Sequence, residues 1–167
     1  TTGHSIAFKA VIDDNPEASV IYINRGINKI LNIIWGLKGF LKYILLMFNK
    51  NKVVYITISQ SKGGFFRDVF FINVGKLFHA KIIVHLHGGN FIDFKNSVSP
   101  IYKKIIKKTI EKTDKAIVLG ENLEEQFNWV LPEERIEIVE NFFNVPDQFN
   151  INDSFKRDWG SEKLVIL

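Results

Sequence analysis

The residues with the most chemistry to offer lie in KIIVHLHGGNF (81–91), where two imidazoles at alternate positions precede two glycines. In a strand, alternation puts Ile83, His85 and His87 on one face and Ile82, Val84 and Leu86 on the other. His87 is the last side chain before Gly88-Gly89, so it falls at the strand's carboxyl end, where open α/β sheets bind ligands. An imidazole there can donate to an anion or a sugar hydroxyl, or exchange a proton near neutral pH. The glycines let a ligand come close to the backbone. His85 sits deeper, which favours an interior hydrogen-bonded role, whereas the position of His87 favours function.

Other chemistries find less support. The H-x-H pair supplies two metal ligands, the chain has no cysteine, and the nearby carboxylate is Asp93. Zinc sites usually draw three protein ligands, so no metal is expected. His4 lies in the opening turn and His79 at a helix end, with no G-x-S-x-G elbow to form a triad. SKGG (61–64) lacks the Gly-Lys-Ser/Thr ending of a P-loop, and the dinucleotide fingerprint G-x-G-x-x-G is absent. Asn152-Asp153-Ser154 matches the glycosylation sequon, a pattern short enough to arise by chance.

The elements that must position His87 follow from periodicity. Short, β-branched apolar runs predict strands at SVIYIN (19–24), KVVYITIS (52–59), KIIVHLH (81–87), KAIVLG (115–120) and RIEIVEN (135–141). Helical segments separate them: 26–50, 65–79, 99–114 and 121–131. This alternation predicts an α/β, Rossmann-like, mostly parallel sheet with helices on both faces. Pro100 after Ser99 is a helix start signal, and Ile101, Ile105, Ile106 and Ile110 fall on one face of that helix, opposite its lysines. Parallel strands bring their following loops to one edge, so Ser59–Gly64, Gly120-Glu121-Asn122 and Asn141–Asn144 should converge near His87. Thr1-Thr2-Gly3 would join them, at a helix N-terminus whose free N–H groups suit a phosphate. KLVIL (163–167) reads as the opening of a following domain.

At 167 residues the chain suits one compact domain with a real core. The absence of cysteine fits a reducing compartment. The net charge is +4, and its distribution matters more: no Asp or Glu occurs from Ala18 through Arg67, against eight Lys and Arg. A second basic cluster is IYKKIIKKTIEK (101–112). Such a field favours an anionic partner. Lys38 and Lys42 argue against a bilayer span for 26–50; a helix packed on the sheet is the default reading, with a helix lying at a lipid surface as the alternative.

Taken together, these features resemble the N-terminal domain of glycosyltransferase family 4, in the two-Rossmann-domain (GT-B) superfamily. The resemblance runs over nearly the whole chain. TTGHSIAFKAVID is similar to the family's glycine-bearing loop after its first strand, KIIVHLHGGNF to its fourth-strand motif, DKAIVLGENLEEQF to a strand and helix, and RIEIVENFFNVPDQF to a segment ending in an Asn-Gly-Val turn. Asn141-Phe142-Phe143 departs from that last pattern. The resemblance implies that 1–150 form a Rossmann-like acceptor-binding domain, and that 151–167 are a linker and the start of a C-terminal domain that binds the nucleotide-sugar and carries a Glu-x7-Glu motif. Glu125 and Glu133 have that spacing in the wrong context.

The implied roles are these. His87 lies near the transferred sugar as the catalytic residue. Thr2 and Gly3 approach the donor diphosphate or the reacting acceptor. Gly88, Gly89, Asn90, Lys62, Arg67 and Glu121 line the acceptor side, and Asn141 the cleft edge. The implied activity is retaining sugar transfer from a nucleotide-sugar to a glycan or lipid-linked acceptor, as in bacterial surface polysaccharide synthesis. No cofactor is expected, the nucleotide-sugar being a substrate, and this half alone should turn over little. The acid-free basic stretch suggests an anionic membrane surface as a partner, hence a cytoplasmic location at the inner face of the cell membrane. A non-transferase GT-B enzyme such as a nucleotide-sugar epimerase, and a non-catalytic binding module with a basic face, are the alternatives. Nucleic acid is not expected, since no aromatic-interleaved basic strand or recognition helix motif occurs.

Overall fold

The structure, a computed structural model, describes residues 15–21, 29–50, 52–140 and 163–167. Among these, the strands are β1 (Ser19–Val20), β2 (Lys52–Thr57), β3 (Lys81–His85), β4 (Lys115–Val118), β5 (Ile136–Ile138) and β6 (Lys163–Ile166). They form one sheet in the order β1-β6-β2-β3-β4-β5, with every pairing parallel. The helices are α1 (Lys29–Leu46), α2 (Lys62–Leu77), α3 (Phe91–Asn96), α4 (Pro100–Ile110) and α5 (Glu125–Asn128). The α/β, Rossmann-like reading of the sequence holds.

The chain steps from β1 through β5 in one direction across the sheet. Parallel crossovers are right-handed, so successive steps in one direction lay their helices on the same face. The packing agrees. Val54, Ile56, Ile82, Val84, Ala116 and Val118 share a core with Tyr43 and Met47 near α1, Phe65, Phe71 and Ile72 of α2, Phe91 of α3, Ile106 and Ile110 of α4, and Phe127 of α5. The other face carries Val53, Tyr55, Ile83, Ile117 and Ile166, also buried. The described helices thus supply one layer. The helix expected near the amino terminus lies outside the described residues.

The largest departure from the sequence reading is β6. The run expected to open a following domain pairs inside this sheet, Val165 with Val54 on one side and with Ser19 on the other. A continuous Leu-Val-Ile run suits any central parallel position, and nothing local specifies which sheet it enters.

Local signals account for both ends of α2 and the start of α4. α2 begins three residues earlier than periodicity predicts because Ser61 caps it, its Oγ accepting from the Gly64 amide at 3.3 Å. Ser99 caps α4 in the same way, with Pro100 in the first turn. Ile106 and Ile110 are buried as expected, but Ile101 is 74% exposed. The expected helix over 121–131 is shorter, a 3-10 turn at Glu121–Leu123 followed by α5.

At its carboxyl end α2 closes in a Schellman motif. The Ala80 amide donates to Gly75 O at 2.9 Å and the His79 amide to Lys76 O at 3.0 Å, with His79 in the left-handed region at φ 59°. Lys52, 9% exposed, donates from Nζ to Met47 O at 2.6 Å and Phe78 O at 2.9 Å. One ammonium thereby satisfies carbonyls just past the ends of both α1 and α2, where the helix dipoles favour a cation.

Candidate functional site

Because the sheet is parallel, the carboxyl ends of β2, β3 and β4 lie side by side, and the loops that follow them meet. β3 ends at His85, and the Leu86 amide still donates to Ile117 O at 2.9 Å, so His87 stands just beyond the ladder. Strand alternation holds: His85 and His87 share the face of Tyr55 and Ile117, opposite the described helices. Their rings lie 3.9 Å apart between centroids.

His85 is 5% exposed and its Nδ1 is hydrogen-bonded to the Tyr55 hydroxyl, the interior role favoured from sequence. His87 is half-buried rather than standing openly in solvent. Its ring is backed by His85 on one side.

Gly88 follows at φ 140°, a backbone conformation that side-chain-bearing residues rarely adopt. The turn it makes brings the β3 loop onto the β2 loop, where the Asn90 amide donates to Gln60 Oε1 at 3.0 Å. On the other side, a Cβ at Gly89 would lie 3.2 Å from Leu123 in the loop after β4. Gly88, Gly89 and Asn90 therefore sit where three strand-to-helix connections converge. The Ile92 amide, donating to Gln126 Oε1 at 3.0 Å, ties the start of α3 to α5.

The remaining sequence-predicted residues divide. Lys62 is exposed at the first position of α2, with its carbonyl accepting from the Tyr102 hydroxyl at 2.6 Å. Glu121 is exposed on the 3-10 turn after β4. Both border the converging loops. Arg67 is engaged elsewhere: it donates to Asp68 Oδ1 at 2.7 and 2.9 Å and to Ser59 Oγ at 3.2 Å. Asp68, 1% exposed, also accepts from the Ser59 amide at 2.8 Å. Burial pushes the Asp68 carboxyl above its ordinary value, with the adjacent guanidinium and the Ser59 amide opposing. Arg67 thus acts through Asp68 to hold the loop after β2. Thr2, Gly3 and Asn141 lie outside the described residues, as do His4 and Asn152.

Gln60 and Gln126 were not singled out from sequence as site residues. Gln60 lay within the predicted loop, but glutamine carries no pattern that marks a partner 30 residues away. Among the described residues, no group of three metal-ligating side chains occurs. An open depression of about 480 Å³ lies at the opposite, amino-terminal edge of the sheet, lined in part by Phe48, Lys50, Lys52, Phe78 and His79.

Fold and edge together define a parallel α/β domain of the kind that binds ligands at the carboxyl ends of its strands. Compared with protein-family models, with curated proteins and with solved structures, the chain gives no significant match.

Proposed function

We propose that this chain is the acceptor-binding half of a retaining glycosyltransferase that moves a sugar from a nucleotide-sugar to a glycan or lipid-linked acceptor. The observation that carries the reading is the meeting of three strand-end loops at His87, Gly88 and Gly89, beside the amino terminus of α2. In this reading the His87 imidazole faces the transferred sugar. Gly88 and Gly89, packed against Gln60 and Leu123, form the floor on which a polyhydroxylated acceptor lies. Asn90, Lys62 and Glu121 contact acceptor hydroxyl or anionic groups from the rim, and Arg67 positions the loop. The leaving diphosphate is stabilised electrostatically, usually the largest contribution to such catalysis. The setting is surface polysaccharide assembly at the cytoplasmic side of a membrane.

The test is a screen of the protein carrying both this half and the nucleotide-sugar-binding half that the reading requires, against radiolabelled nucleotide-sugars with glycan and polyprenyl-phosphate acceptors. Sugar transfer that falls in the His87→Ala variant, with folding intact, supports the reading. Transfer indifferent to His87, or no transfer to any acceptor, counts against it.

A further inference from the structure

We infer that the exposed face of α1 is a docking surface for an anionic lipid bilayer. α1 packs against α2 through Phe40 on Phe70, with centroids 4.2 Å apart, and through Tyr43 on Phe71, 4.8 Å apart. The face turned away remains apolar: Ile33 is 70% exposed, Leu37 60%, Leu41 53% and Leu45 70%. Recurrence at every fourth residue makes these a continuous stripe along the helix. Phe48, 71% exposed, prolongs it past the helix end. A row of large aliphatic side chains facing water is costly and needs an occupant.

Charge selects the occupant. Lys38 and Lys42 are exposed beside the stripe, and the Lys38 ammonium lies 5.6 Å from the centroid of Trp35, which is itself 38% exposed. At the far end Phe48 leads to Lys50, which is also exposed. No carboxylate occurs in the sequence between Ala18 and Arg67 to balance these cations. A second copy docking stripe to stripe would set lysines against lysines with no acid from this stretch between them. A bilayer with anionic headgroups offers acyl chains to the stripe and phosphates to its border, the geometry of an interfacial helix. The helix would lie in the surface and not cross it, since no described helix is long and apolar enough to span a membrane. α4 is different: its lysines border no comparable apolar stripe, Ile101 being its one strongly exposed large apolar residue.

The inference does not depend on sugar transfer, because vesicle binding needs no donor. Flotation of the chain with phosphatidylcholine vesicles, with and without phosphatidylglycerol, tests it. Binding is expected to the anionic vesicles only. Leu37→Ser/Leu41→Ser and Lys38→Glu/Lys50→Glu should each lower partitioning at least about tenfold. Lys42 is left intact because its Nζ also donates to Val20 O at 3.0 Å. Lys104→Glu/Lys108→Glu on α4 makes the same charge change and should leave binding within about twofold. Thermal unfolding by circular dichroism verifies that the variants fold. Equal binding to neutral vesicles, no binding, or an equal loss from the α4 pair overturns the inference. A lipid-free dimer that Leu37→Ser/Leu41→Ser dissolves would also overturn it, assigning the stripe to a second copy.

Discussion

His85 and His87 stack with their ring centroids 3.9 Å apart, and the deeper ring is anchored by Tyr55. The two imidazoles therefore have separable roles. His85→Ala removes a buried ring and its hydrogen bond, and should cost about 2–3 kcal/mol in urea unfolding. His87→Ala should cost under about 1 kcal/mol, yet lower sugar transfer about a hundredfold or more. Reversed outcomes would move the chemistry to His85.

Gly88→Ala tests the turn that joins the loops. At φ 140° an alanine is strained whatever the space around it, and a destabilisation of about 1–3 kcal/mol is expected. The Asn90–Gln60 hydrogen bond should open with it, read as faster amide exchange at Asn90. Unchanged exchange and stability would mean that the loop does not need this conformation.

Asp68 gives a pH signature. Its folded pKa is raised above 3.8, chiefly by burial, so the native state holds this proton more tightly than the unfolded chain does. The stability this contributes is full below pH 3.8 and is lost as pH rises through the folded value. The stability of the native protein minus that of Asp68→Asn should therefore decline with rising pH over that window and then level off. A difference that grows with pH would reverse the assigned sign.

The double helix cap predicts two opposite effects. Lys52→Met leaves the Met47 and Phe78 carbonyls without their ammonium donor, at a cost of about 2–3 kcal/mol. His79→Gly relieves a left-handed residue at φ 59° and should stabilise by about 1 kcal/mol. Chemical denaturation of both variants checks the pair. Destabilisation by His79→Gly would show that the imidazole contributes more than its backbone costs.

Much of the site's placement was legible in advance. Alternation in KIIVHLH put both histidines on one face and His87 at the strand end, and parallel topology required the loops after β2 and β4 to meet it there. Periodicity could not reveal what arises between distant residues. Gly75 reads as an unremarkable helix glycine, yet a Cβ there would fall 2.6 Å from Tyr43 Oη and 2.7 Å from Ile82 Cδ1. Arg67 reads as a free cation near a ligand edge, and only the fold shows Asp68 and Ser59 taking up its donors.

By itself the sequence determined most of the elements, because strand and helix periods are local, and with them the edge at which His87 had to lie. The short α3 (Phe91–Asn96) spans too few residues to show a period and was not among them. Tertiary structure decided where KLVI inserted, which face of α1 stayed exposed, and how Gln60 fixed the turn at Gly88. Each of these depends on free energies between residues far apart in the chain, and an apolar pattern states that a face will be covered without stating by what.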